Sequence, residues 1–193
     1  SLFDYLVQHK NIDYFGKEKE TFHLMDERHP LRKELGTVSA SVARYRVDAT
    51  VHYMYQKRAL DYFKNNIDCK AIFIFRDPIE RLRSAFSFIK YSHSAMEKNY
   101  TYNNYIEDLL VNGDRARKKI TTFHLATAMQ ELENGLYYKY FKKWVDVDKD
   151  RCMVLDFDDL RENPGQLYQS VLKWLDLPVD LSVNFDKKNQ TFK

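Results

Sequence analysis

Glycine and proline are scarce, five and four among 193 residues, and they do not cluster. That scarcity excludes a collagen-like or low-complexity chain and leaves no flexible or Pro-rich stretch to serve as an interdomain linker. Cysteine is rarer still, with two residues, Cys69 and Cys152, each just ahead of an apolar run. Two isolated cysteines build neither the disulfide framework of a small secreted domain nor a metal-ligand cluster; they read as buried, reduced thiols of a cytoplasm-like compartment. No apolar run approaches the roughly 20 residues of a membrane-spanning helix, and no signal-peptide pattern is visible. An excess of one charge is also missing: 31 basic and 28 acidic residues leave a formal +3. Such a balance gives no global field to draw nucleic acid, although it is compatible with a local anion pocket. Aromatics, by contrast, reach 15%, too many for a disordered chain, and the length suits one compact domain with a sizeable core.

The most informative stretch is Cys69 to Lys90, CKAIFIFRDPIERLRSAFSFIK. Ala71 to Phe75 is continuously apolar, β-branched and aromatic, the pattern of a strand buried on both faces as in a parallel sheet. It stops at Arg76-Asp77-Pro78, where Asp77 suits an N-cap and Pro78 a first helical residue. The helix that follows carries Ile79, Leu82, Phe86 and Ile89 on one face, and Arg81, Ser84 and Phe88 on the other. In open α/β sheets ligands bind beyond the carboxyl ends of the strands, and Arg76 stands there. A guanidinium, helix N-terminal amides and a serine hydroxyl together suit a phosphate. On the residues alone the alternative stays open that Arg76 and Asp77 form a surface pair and Ser84 is a solvated helix residue.

Arg-Asp-Pro-x-x-Arg-x-x-Ser-x-Phe after an apolar strand resembles the 3′-phosphate motif of sulfotransferases that use 3′-phosphoadenosine 5′-phosphosulfate. The resemblance implies that Arg76 and Ser84 hold the 3′-phosphate of the donor. It extends collinearly along the chain. Leu2, Tyr5 and Leu6 at helical spacing read as a helix already under way, which in the family follows a first strand and a Lys-x-Gly-Thr-Thr phosphate loop; the expectation is that both are missing from the sequence in hand. Lys19-Glu20-Thr21-Phe22-His23-Leu24 resembles the Lys-Glu-Pro-His-Phe-Phe segment of heparan-type enzymes and implies that Glu20 is the general base, with Glu18 and His23 as further candidates. Asp48-Ala49-Thr50-Val51 resembles an Asp-Ala-Thr-Pro or Glu-Lys-Thr-Pro segment of the family, with Ala49 where heparan-type enzymes carry a Lys; the resemblance implies Asp48 and Thr50 on the acceptor side, and on the residues alone the alternative stays open that they only end the strand from Tyr45.

Between and beyond these motifs the periodicity predicts helices over Tyr53 to Asn65 (Tyr55, Leu60 and Phe63 inward), Tyr105 to Val111 (Ile106, Leu109 and Leu110 inward), Thr121 to Glu133, and from Leu136 to Val145. Tyr91 to Tyr102 reads as a polar, mobile loop over the site, and the basic run Asp114 to Ile120 as a solvated face. Arg151 to Phe157 predicts a second strand beside the first, and Asn163-Pro164 opens a closing helix with Leu167, Val171, Trp174 and Leu175 inward. By resemblance, Gly135 and Tyr137 begin the helix near the nucleotide, and the basic tail places Lys187 and Lys188 on its phosphates.

The fold expected is α/β, a P-loop-NTPase-like sulfotransferase domain over residues 1–193 with a central parallel sheet flanked by helices on both faces. The function implied is in-line sulfuryl transfer from 3′-phosphoadenosine 5′-phosphosulfate, as co-substrate and without a metal, to a hydroxyl or amine of a carbohydrate or small molecule. The expected setting is the cytoplasm rather than a Golgi lumen, with no nucleic-acid partner. A P-loop nucleotide kinase and a non-catalytic domain derived from a sulfotransferase are the alternatives.

Overall fold

The computed structural model describes residues 1–15, 18–29, 31–35, 40–92, 96–111, 130–180 and 182–186. In chain order its elements are α1 (Leu2–Leu6), β1 (Ile12–Tyr14), β2 (Tyr45–Val47), α2 (Lys57–Asn65), β3 (Ala71–Phe75), α3 (Pro78–Ser87), α4 (Tyr102–Val111), α5 (Tyr137–Val145), β4 (Cys152–Asp156), α6 (Phe157–Glu162) and α7 (Pro164–Trp174). They fall into two compact units, Ser1–Phe75 with Lys142–Lys193, and Arg76–Phe141.

Among the described residues the four strands belong to the first unit, and both ladders are parallel. β1 pairs with β2 from Ile12↔Tyr45 to Tyr14↔Val47, and β3 with β4 from Ala71↔Cys152 to Phe75↔Asp156. Parallel neighbours need crossover connections, which fits the α/β reading of strand runs alternating with helical periodicity. β3 occupies the five residues expected, but it is not buried throughout: Phe73 is 7% exposed, while Ile74 is 37% and Val154, across the ladder, 49% exposed. Each ladder is two strands wide among the described residues.

The core of this unit gathers Leu2, Tyr5 and Leu6 of α1 with Ile12, Leu155 and the inward face of α7, Leu167, Tyr168, Val171 and Leu172. Fully burying each such aliphatic side chain contributes about 1.5–3 kcal/mol. Polar residues lock the edges. The Arg151 guanidinium donates to the carbonyls of Phe63, Asn66 and Cys69 at 3.0, 2.9 and 3.2 Å and lies 4.1 Å from the Phe63 ring centroid. A cation is thereby fixed at the C-terminal end of α2, where the helix dipole favours one.

In the second unit the inward face of α3 is Leu82 and Phe86, followed by Ile89 in a wider π-type turn, Phe88–Ser92. Ile79 is 60% exposed, one turn too early to reach the core. Two readings of the loops and helices are corrected. Met96 and Tyr100 are buried among Leu82, Phe86, Ile89 and Tyr105, so this part of the expected mobile loop is core. On α4, Leu110 is exposed and Asp108 is buried, because the Tyr100 hydroxyl donates to Asp108 Oδ2 at 2.8 Å and so satisfies the carboxylate inside. Among the described residues no helix is long and apolar enough to cross a membrane.

Candidate active site

The expected site residues divide between the two units, and each group has its own chemistry. In the second unit β3 leads into Arg76 and Asp77. The Asp77 carboxylate accepts from the amides of Ile79 and Glu80, both at 2.9 Å, so it caps α3 as the sequence indicated. Those two amides are thus committed, which corrects the expectation that the exposed end of α3 offers them to a phosphate. Arg76 is paired with Glu80, 3.8 Å away, and not with Asp77. Its side chain is 28% exposed. Ser84 lies half-buried two turns along α3.

Tyr137, at the start of α5, hydrogen-bonds to the Arg76 backbone. Burial raises its phenol above the ordinary value, against the pull of the Arg81 and Arg76 charges. Gly135 allows this approach: a Cβ there would stand 3.2 Å from the Leu132 carbonyl and 3.5 Å from Pro78 Cβ. The segment is also tied to α3 by Arg81, whose guanidinium grips both the carboxylate and the carbonyl of Glu131. Glu131 is 6% exposed, so this is a largely buried, two-point pair. Sequence reasoning gave Arg81 only a helix face, and the partner 50 residues away carried no local signal. An open depression is lined by Gly135 to Lys139.

In the first unit, the loop from Lys19 to Leu24 is pinned to the end of β2. The Ala49 amide donates to the Lys19 carbonyl at 3.1 Å, and the Thr21 hydroxyl donates to Asp48 Oδ2. Glu20 is thus held from both sides. Burial raises its carboxyl above the usual range; Lys19 opposes this and the Asp48 charge adds to it. Glu18 is different: its carboxylate is 61% exposed and paired with Lys33 at 2.8 Å, the setting of a solvated surface group.

Asp48 is the centre of the cluster. Oδ1 accepts from the Thr50 hydroxyl at 2.7 Å and the Thr50 amide at 3.0 Å. Oδ2 accepts from Thr21 and from the Tyr53 hydroxyl at 2.9 Å, with His23 Nδ1 3.4 Å away. Burial pushes this carboxyl upward, but the hydrogen bonds from His23, Thr21, Thr50 and Tyr53 outweigh it and hold it down at about 2. Thr50 is buried, and it and Asp48 stand just past the end of β2, as the strand reading from Tyr45 placed them. Thr21 and Tyr53, 27 and 5 residues from Asp48, were not read as site residues.

Lys187, Lys188 and the basic run 114–120 lie outside the described residues. Among the described residues no group of three or more His, Cys, Asp or Glu is placed to hold a metal ion.

Comparison with known proteins bears on the whole arrangement. A crystal structure of a sulfotransferase from Alicyclobacillus acidocaldarius matches with a TM-score of 0.70 at 18% identity, over 98% of this chain and 80% of that one. At that identity the likeness concerns the fold. No curated protein matches the sequence. The sulfotransferase domain family matches residues 6–192, which includes both clusters described above. The chain therefore belongs to the sulfotransferase family, enzymes of sulfuryl transfer.

Proposed function

We propose that this enzyme moves a sulfuryl group from 3′-phosphoadenosine 5′-phosphosulfate to a hydroxyl or amine of a carbohydrate or small molecule, by in-line displacement with Glu20 as general base. The observation that carries the reading is the family match, whose span of residues 6–192 takes in the motifs used, from Glu20 to Lys188. In this reading Arg76 and Ser84 hold the 3′-phosphate, Tyr137 borders the nucleotide, and Lys187 and Lys188 contact its phosphates. Arg76 suits that role because it is partly open, and its Glu80 partner at 3.8 Å is a weak surface competitor that a doubly charged phosphate displaces. Asp48 and Thr50 form the wall of the acceptor side.

The chemistry asked of the protein is positioning, charge stabilisation and removal of one proton. As the acceptor oxygen or nitrogen attacks sulfur, the bond from sulfur to the donor's phosphate oxygen breaks, and Glu20 takes the acceptor's proton. A carboxyl whose burial raises its proton affinity is better matched to this step than a solvated one such as Glu18. The two free, half-buried thiols, both raised by burial, agree with a reducing compartment such as the cytoplasm. The test is to incubate the full-length enzyme with sulfur-labelled donor and a panel of carbohydrate, phenolic and amine acceptors. Label on one acceptor class is the expected result. Phosphate transfer from ATP with Mg²⁺, and none of sulfur, would contradict it.

A further inference from the structure

The hydrogen bonds around Asp48 reach beyond its role as a wall. Three hydroxyl groups, those of Thr21, Thr50 and Tyr53, meet this one carboxylate. An ionised carboxylate only accepts, so each hydroxyl that hydrogen-bonds to it spends its single proton there, and the 3.1 Å contact between Thr21 Oγ1 and the Tyr53 hydroxyl then leaves no further proton for a third partner. Thr21 Oγ1 also lies 2.5 Å from His23 Nδ1, and the Tyr53 hydroxyl oxygen lies 3.3 Å from the same nitrogen. With both hydroxyl protons committed, these oxygens face Nδ1 with lone pairs alone. A hydrogen bond there exists only if the imidazole supplies the proton.

We infer that Asp48 is a positioning residue which, acting through Thr21, fixes His23 with its ring proton on Nδ1 and its lone pair on Nε2. The same hydroxyls also hold the backbone of the turn. Phe22, between the two, has φ 56, a left-handed conformation that a bulky residue adopts only when its surroundings hold it there. It is held there by its amide donating to Thr50 Oγ1 at 3.2 Å, and Thr50 is itself bound to Asp48. The same turn brings the His23 amide within 3.5 Å of Thr21 Oγ1 and the Leu24 amide within 3.3 Å of the Tyr53 hydroxyl. The carboxylate's acceptor sites are taken from within the protein, which leaves Asp48 as support and not as a ligand of the acceptor.

The consequence for catalysis rests on the sulfuryl-transfer reading; the tautomer does not. Given that reading, Nε2 becomes a second basic atom three residues from Glu20, with its orientation set in advance.

The experiment is histidine ring NMR on the full-length protein labelled with ¹⁵N-histidine, at pH 8 and without nucleotide. Of the six histidines, His23 is the signal lost in His23→Gln. Wild type should show His23 with Nδ1 protonated and Nε2 bare. Thr21→Ser, which keeps the hydroxyl, should preserve that state. Thr21→Val and Asp48→Asn should both move His23 towards the Nε2–H form that free neutral imidazole favours. Nε2–H in wild type, or an unchanged tautomer in Thr21→Val, would overturn the inference, and the Thr21 pair decides the matter even where Asp48→Asn fails to fold. The expected tautomer in a protein that binds no donor nucleotide would keep this inference and remove the proposed function instead.

Discussion

The two units solve the problem of a polar site in opposite ways. In the first, one carboxylate is surrounded by neutral donors: Thr21, Thr50 and Tyr53 hydroxyls and a backbone amide converge on Asp48. In the second, charges are paired off: Arg81 with Glu131, Arg83 and Arg76 with Glu80. A hydroxyl network fixes geometry to a fraction of an ångström without a strong field. Paired charges can exchange one partner for another, and a cation held by a distant carboxylate is ready for a stronger anion. Under the proposed function the contrast would amount to a division of labour, in which the first unit orients an acid–base group and the second receives an anionic donor.

Glu20 is where that division is most open to test. Glu20→Gln should cut turnover by about 100- to 10,000-fold while donor-nucleotide affinity stays within about twofold, read from steady-state rates and a binding titration. Loss of affinity with normal turnover at saturation would reverse the roles of the units. Glu20 also predicts an acid limb of the rate profile above the ordinary glutamate value, since burial raises its carboxyl.

Next comes the pair that holds the second unit together. Arg81→Ala should lower unfolding stability by roughly 3 kcal/mol, because it strands the buried Glu131 carboxylate. Arg81→Lys should recover only part of this, since a lysine cannot span the carboxylate and the carbonyl together. Chemical denaturation with both variants reads the difference, and near-wild-type stability of Arg81→Ala would mean that the pair holds nothing.

Acid separates the clusters. Asp48 is held at about 2 against an ordinary 3.8, so its contribution is complete above pH 4 and is lost as pH falls from about 4 to 2. The shift corresponds to about 2 kcal/mol. Denaturation series at pH 5, 4, 3 and 2 should therefore show a slope that Asp48→Asn lacks. The smallest effect belongs to the cap of α3: Asp77→Ala should cost about 1 kcal/mol and leave turnover unchanged.

Much of the frame was legible because its signals are local. An apolar run followed by Arg-Asp-Pro places β3, the cap and α3 within a residue, since propensity, capping and proline agree. Asn163-Pro164 did the same for α7. Errors arose where burial depends on a partner outside the helix itself. Asp108 replaces Leu110 in the interior only because Tyr100 is there to satisfy it, and nothing in the 105–111 periodicity announces that. At the candidate site, Arg76, Ser84, Glu20, Asp48 and Thr50 were all singled out by resemblance to family motifs, and each motif is local in the chain. What escaped is the web joining them: Thr21 to Asp48 across 27 residues and Arg81 to Glu131 across 50. Side-chain hydrogen bonds over such separations leave no periodic trace.

The central claim is that this fold receives a donor with a ribose 3′-phosphate through Arg76. The measurement that tests it most directly is calorimetric titration of the full-length enzyme with 3′-phosphoadenosine 5′-phosphate and with AMP, repeated on Arg76→Ala. The account predicts that the bisphosphate binds wild type far more tightly than AMP does, and that Arg76→Ala loses about 10- to 100-fold of this advantage, the worth of a charge-assisted contact of about 1.5–3 kcal/mol. Equal binding of the two nucleotides, or a bisphosphate preference untouched in Arg76→Ala, would contradict it.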